Sequence, residues 1–122
     1  MIEDERFVEE QRIKKALAPR KWAKLREDLQ NECEQTRNAS SVSIRLESPA
    51  ANEAKLRNLE SGAMALLTYV PDVPCIFYES PKRHGQIVFR LSSDRASLQF
   101  VENGAPQHDS EIVQNLMIDV LR

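Results

Sequence analysis

The sequence has few of the residues from which most small-molecule and metal sites are built. It contains three glycines, too few for a glycine-rich loop that holds a phosphate. Its two cysteines, Cys33 and Cys75, are far apart and have no second metal ligand at zinc-site spacing, so neither a disulfide framework nor a zinc centre is indicated. The sequence therefore predicts no cofactor, no metal and two reduced thiols that pack as small apolar residues.

Catalytic motifs are missing as well. There is no Walker-type loop, no G-x-S-x-G nucleophile turn and no H-E-x-x-H zinc motif. The two histidines, His84 and His108, fall in separate predicted turns, and Asp72 has no second catalytic group near it in the sequence. The sequence favours a non-enzymatic protein and leaves catalysis open.

No long apolar run is present. The longest, at residues 63–70, is far shorter than the roughly 18 residues that a membrane-spanning helix needs. The first ten residues are acidic and lack the basic and apolar regions of a signal peptide. We therefore expect no membrane span and a cytoplasmic protein. The formal net charge of −2 excludes a uniformly basic nucleic-acid-binding protein.

The sequence is instead rich in charge, which is unevenly distributed. Its 122 residues, 41% hydrophobic and 30% charged, have the composition of one globular domain. Residues 1–38 carry 9 Lys or Arg and 9 Asp or Glu, whereas the remaining 84 residues carry 8 and 10. We interpret residues 1–38 as a charged helical arm and residues 39–122 as a compact α+β body, which together form a single domain.

The arm is predicted to form two helices that meet at Pro19. Proline is tolerated at the first position of a helix but not in its interior, so we predict helices at about 3–17 and 19–37. In the second helix, apolar residues recur every three or four positions and form a narrow seam. In the first, Phe7 and Val8 point away from the other apolar residues, so we expect this helix to fray or to pack on two sides. The seam consists of Trp22, Leu25, Leu29 and Cys33.

Charges of the same sign are grouped along the arm. An acidic start is followed by residues 11–26, which contain seven basic residues and no acid, and then by a second acidic block. Two copies of the second helix in antiparallel contact would place the basic block of one against the acidic block of the other, which favours self-association. The alternative is a seam that covers the core of its own chain. Exposed ion pairs contribute about 0.2–1 kcal/mol each, enough to select a packing but not to create one.

The body is predicted to be mainly β-structure. Residues 42–47 alternate between apolar and polar side chains, the pattern of a half-buried strand. Residues 48–61 are predicted to form a helix with Ser48 as its N-cap and Gly62 beyond its end. Further strands are expected at about 63–70, 75–79, 87–91 and 98–102, and a final amphipathic helix is expected from Asp109 or Ser110.

The predicted fold is therefore α+β. It consists of two N-terminal helices, a strand–helix unit, a four-stranded antiparallel meander that gives about five strands in one sheet, and a C-terminal helix packed on the sheet. By the order of its elements alone, it is similar to cystatin-like and NTF2-like domains, which enclose a pocket between sheet and helices. This analogy rests on no motif. It implies a small-molecule-binding or enzymatic domain as an alternative function.

The leading prediction is a non-catalytic interaction module that binds itself, as a homodimer, or another protein through the arm. A further alternative is binding of nucleic acid or of an anionic surface by residues 12–26, where basic side chains surround Trp22. A second basic cluster lies in the turn at residues 80–85. The candidate interaction residues are Arg20, Lys21, Trp22, Lys24, Leu25, Arg26 and Leu29 on the arm, and Lys82, Arg83 and His84 in the turn.

Overall fold

One long helix carries the first third of the chain. The computed structural model describes residues 2–40 and 42–122, with side chains from residue 5 onward, and within them α1 spans Ile2–Ala39. The side chains of Glu3 and Asp4, which belong to the predicted acidic start, thus lie outside the described residues. The elements that follow are β1 (Ile44–Glu47), β2 (Glu53–Asn58), β3 (Met64–Val70), β4 (Cys75–Glu79), β5 (His84–Leu91), β6 (Leu98–Glu102), β7 (Ala105–Gln107) and α2 (Asp109–Leu121).

The strands form one antiparallel sheet in which each strand pairs with its neighbours in sequence, from β1 to β7. In the middle of the sheet, Leu67 pairs with Tyr78 and Phe89 pairs with Phe100. This meander follows from the short connections, because short loops join antiparallel strands whereas parallel strands need long crossovers. The prediction of an α+β fold with an antiparallel sheet and a C-terminal helix is confirmed, although the numbers of helices and strands differ.

The prediction of two N-terminal helices is wrong, because α1 is continuous through Pro19. An interior proline lacks the N–H that would bond to the carbonyl of Lys15, and it is roughly 3 kcal/mol less favourable than alanine. Tertiary packing offsets this cost. Ala18 precedes the proline, Trp22 and Leu25 follow it, and all three are buried in one core, which holds both sides of the proline in helical register.

The helix predicted for residues 48–61 is also wrong, because this segment contains β2. Many of its residues are good helix formers, but Ala54 and Leu56 are fully buried while Lys55 between them is not, which is the period of a strand. Pairing with β1 and β3 on either side gives the segment a tertiary stabilisation that overrides its weak local preference. Gly62, with φ of +81°, belongs to the β2–β3 turn.

The predicted end of the sheet at residues 103–106 is instead a hairpin. Asn103 and Gly104 both have positive φ, 53° and 79°, which is the conformation of a two-residue type I′ turn. This turn directs the chain back along β6, so that residues 105–107 add a short edge strand, β7. Together with β2, it raises the number of strands among the described residues from the predicted five to seven.

The core lies between the sheet and the two helices. The predicted seam of α1 supplies Trp22, Leu25 and Leu29, and α2, which lies beside α1 on the same face of the sheet, supplies Leu116. The indole of Trp22 stacks on the ring of Tyr69 in β3, with the ring centroids 5.5 Å apart. Full burial of one large apolar side chain contributes roughly 1.5–3 kcal/mol. The seam of α1 is therefore an integral part of the core.

Candidate interaction surface

The apolar residues of the predicted interaction site face the chain's own core. Trp22, Leu25 and Leu29 are at most 3% exposed. The indole Nε1 of Trp22 donates a hydrogen bond to the carbonyl oxygen of Ala51, 3.0 Å away. Their assignment to a partner-binding surface is therefore corrected: these side chains hold α1 on the sheet and are not accessible to a second protein.

Two basic residues of the arm are held by carboxylates. Nζ of Lys21 lies 3.0 Å from Oδ1 of Asp109 in the first turn of α2, so this pair joins the two helices. Nζ of Lys24 lies 2.7 Å from Oδ1 of Asp28, one turn further along α1. The hydrogen bond to Asp28 raises the pKa of Lys24. Both positive charges are thus largely compensated within the chain.

The two arginines of the predicted site have different surroundings. Nη1 of Arg26 donates a hydrogen bond to the carbonyl oxygen of Ala51 (3.1 Å), and its guanidinium lies over the ring of Trp22, 5.7 Å from the centroid. Arg20 is exposed and forms no ion pair with any residue that the structure describes. Arg20 is therefore the basic candidate on the arm that is most open to a partner.

The second predicted cluster begins in the turn between β4 and β5: Lys82 and Arg83 lie in this turn, whereas His84 is the first residue of β5. Nε of Arg83 donates a hydrogen bond to Oδ2 of Asp119 in α2 (2.9 Å), and its guanidinium lies over the ring of Tyr78. Lys82 and His84 are exposed. Arg83 therefore connects the turn to α2, whereas Lys82 and His84 extend into solvent.

A small recess lies beside Arg83, against the middle of α2. The hydroxyl of Tyr78 donates a hydrogen bond to the carboxylate of Glu102, and Gly85 leaves room for this pair, because a Cβ at Gly85 would lie 2.6 Å from Oε2 of Glu102. Burial, reinforced by Glu102, raises the pKa of Tyr78 to about 12. The recess measures about 10 Å³, which is enough for one water molecule and too small for an organic ligand.

The N-terminal part of α1 extends beyond the core. Val8, Gln11 and Lys15 continue the spacing of the seam backwards from Ala18, and so lie on the same side of the helix. Whereas Ala18 is fully buried, Val8 is 65% exposed and Lys15 is also exposed. We call residues 5–16 the overhang, because the helix continues here after the apolar core beneath it has ended.

The overhang forms an open cleft with the loop between β3 and β4, with a volume of about 500 Å³. Phe7 in this cleft is 62% exposed, and Val73, which follows Asp72 in the loop, is half exposed. Grouped apolar side chains with a charged rim are typical of protein–protein contact sites. The residues that line the cleft, which we call the overhang surface, are Phe7, Val8, Gln11, Arg12, Lys15 and Asp72.

Ion pairs stabilise the overhang and attach it to the sheet. Arg12 donates two hydrogen bonds to the carboxylate of Glu9, and this contact lowers the pKa of Glu9. Nη2 of Arg95, in the β5–β6 loop, lies 3.4 Å from Oε1 of Glu10. Glu10 does not line the cleft, so this attachment leaves the overhang surface open.

The sequence indicates the overhang surface only indirectly. Phe7 and Val8 stand apart from the other apolar residues of their helix, which is the signal of a second contact face. Neither is among the predicted interaction residues, because the sequence does not show where the core beneath α1 ends. Asp72 is missed for a related reason: its loop meets the helix only in the folded chain.

Comparisons with known proteins add no assignment. No protein-family model, no curated protein and no solved structure matches the chain. Among the described residues, no helix combines the length and apolar character that crossing a membrane requires. In the same part of the chain, no three side chains of metal-binding type lie together.

Proposed function

We propose that the protein is a non-catalytic interaction module that docks on its partner through the overhang surface. The observation that carries the proposal is the exposure of two adjacent apolar side chains, Phe7 (62%) and Val8 (65%), on a helix whose later turns bury their apolar face. Contact with a partner would remove this apolar area from water, at about 25 cal/mol per Å². The charges of Arg12, Lys15 and Asp72 at the same cleft would then select the orientation of the partner.

The contacts made by the other candidate sites also favour the overhang surface as the docking site. Lys21 and Lys24 are bound by carboxylates of the same chain, which weakens the field that the basic segment projects toward a nucleic acid or an anionic surface. Small-molecule binding has less support, because apolar side chains fill the space between sheet and helices and the recess beside Tyr78 admits only a water molecule.

Site-specific photo-crosslinking in cells tests the proposal. The photoreactive analogue p-benzoylphenylalanine replaces Phe7 in the 122-residue chain, and we expect a discrete crosslinked adduct because Phe7 lies within the proposed contact. The matched control carries the same analogue at Phe77, an exposed phenylalanine (47%) on the sheet face away from the helices. We expect no adduct from the control.

Two results would contradict the proposal. The first is an adduct at position 77 with none at position 7, which would move the interaction to the outer face of the sheet. The second is the absence of an adduct at both positions, which would leave the exposed apolar residues of the overhang without a partner. Circular dichroism of both substituted chains verifies that each retains its fold.

A further inference from the structure

The charges of the overhang are arranged so that this surface complements itself. Glu5 lies near the start of the overhang, and Arg12 follows seven residues later on the same side of the helix. Both side chains are exposed, that of Arg12 to 69%. Val8 lies between them along the helix and is exposed as well. If the overhang of a second copy lay alongside in the antiparallel direction, its acidic start would lie against the basic end of the first.

The heptad positions of the overhang define which residues would meet. Continued from the seam, the heptad places Val8 at position a, Gln11 at position d, and Glu5 and Arg12 at position e. In an antiparallel pair of helices, each a position packs on a d position of the other helix, and e positions face one another. Val8 would then contact Gln11 of the second copy, and Glu5 would contact Arg12 of the second copy. A twofold axis repeats both contacts.

A parallel pair would leave the same charges without partners. It would place position e of each helix against position g of the other, so that Arg12 would face Phe7 of the second copy and Glu5 would have no basic residue opposite it. The antiparallel pair instead places an opposite charge against each of them. The symmetry of the antiparallel dimer is also closed, because both copies use the same overhang surface and no such surface is left to bind a third copy.

We infer that the partner of the overhang surface is a second copy of this chain, bound as an antiparallel helix pair about a twofold axis. This inference rests on the proposed function. The overhang is only 12 residues long and buries less than the roughly 800 Å² per partner of a standard interface. The dimer therefore dissociates on dilution, and it weakens as salt screens its exposed ion pairs.

A charge-swap experiment on the purified 122-residue chain tests the pairing. Light scattering coupled to size exclusion, over a concentration series at low salt, is expected to show the mass rising from that of one chain toward that of two. Each of the variants Glu5→Lys and Arg12→Glu places like charges opposite one another in both of the symmetry-related contacts between positions 5 and 12. Either variant alone is therefore expected to remain monomeric. An equal mixture of the two variants is expected to regain the dimer, because every altered position then faces an opposite charge.

The control for this experiment addresses the local role of Arg12. Because Arg12 also binds Glu9 within the helix, Glu9→Gln removes that contact without changing an interface position. This variant is expected to dimerise like the parent chain. Circular dichroism verifies the helix content of every variant.

Several results would overturn the inference. The first is a parent chain that stays monomeric at every concentration. The second is a single variant that still dimerises, and the third is a mixture of the two variants that does not regain the dimer. The crosslinking experiment separates these failures from failure of the proposed function. A monomeric purified chain whose position 7 crosslinks to a different protein in cells would remove the self-pairing and keep the docking surface, whereas a missing crosslink at position 7 would remove the docking surface itself.

Discussion

Residues of the same charge have different roles in this protein, according to what each one contacts. Arg83 lies beside Asp119, whose side chain is only 8% exposed, and Ser80 donates a second hydrogen bond to the same carboxylate. Lys82, one position earlier in the turn, is exposed and makes no ion pair within the described residues. The basic cluster at residues 82–84 therefore contains both a structural charge and a surface charge. Only the contacts of each residue in the folded chain distinguish the two.

Arg83→Ala is expected to lower the free energy of unfolding by about 1–3 kcal/mol, because it leaves the nearly buried carboxylate of Asp119 without its counter-charge. The matched control, Lys82→Ala, is expected to change stability by less than about 0.5 kcal/mol. Urea unfolding, followed by the fluorescence of Trp22, measures both. Equal effects of the two substitutions would contradict a structural role for Arg83.

At the scale of secondary-structure elements, tertiary packing overrides local preference in two places. The segment that forms β2 has residues with good helix propensity, but its two flanking strands and the burial of Ala54 and Leu56 make it a strand. α1 continues through Pro19 because residues on both sides of the proline are fixed in one core. In both cases the decisive contacts join residues that are far apart in the sequence.

Pro19→Ala is expected to raise the free energy of unfolding by roughly 1–3 kcal/mol. The substitution restores an N–H donor within α1 and removes the clash of the proline ring with the preceding turn, and a smaller loss from the more flexible unfolded chain opposes this gain. The control is Pro49→Ala, an exposed proline outside the helices and strands, which is expected to give no gain. Urea unfolding measures both, and an unchanged stability for Pro19→Ala would indicate a helix break at that position in solution.

At the scale of the whole molecule, the arm and the body share one core. Trp22 and Leu25 of α1 pack in the same cluster as Tyr69, Phe89 and Phe100 of the sheet. The predicted division between residues 38 and 39 therefore separates two segments of different charge density. It does not separate two cores, because the apolar side chains of both segments pack together. The overhang differs from the rest of the arm, because its exposed apolar residues lie outside this cluster.

Two truncations test this difference. A chain of residues 39–122 is expected not to unfold cooperatively, because loss of α1 exposes the aromatic face of the sheet. A chain of residues 13–122, which lacks Phe7, Val8 and Arg12, is expected to keep a cooperative transition within a few degrees of the parent chain and to remain monomeric. Calorimetry and light scattering measure these properties. A cooperative transition for residues 39–122 would show that the body folds without the arm.

The sequence by itself determined the α+β class, the antiparallel sheet and the apolar stripe of α1, because these depend on local periodicity and on turn residues. Only the tertiary structure decided that the stripe is covered from Ala18 to Cys33 and exposed at Val8. It also decided that Lys21 and Arg83 bind carboxylates of α2, while Phe7 lines an open cleft. The physical reason is that burial and charge compensation depend on which distant residues meet, and local patterns of spacing do not contain that information.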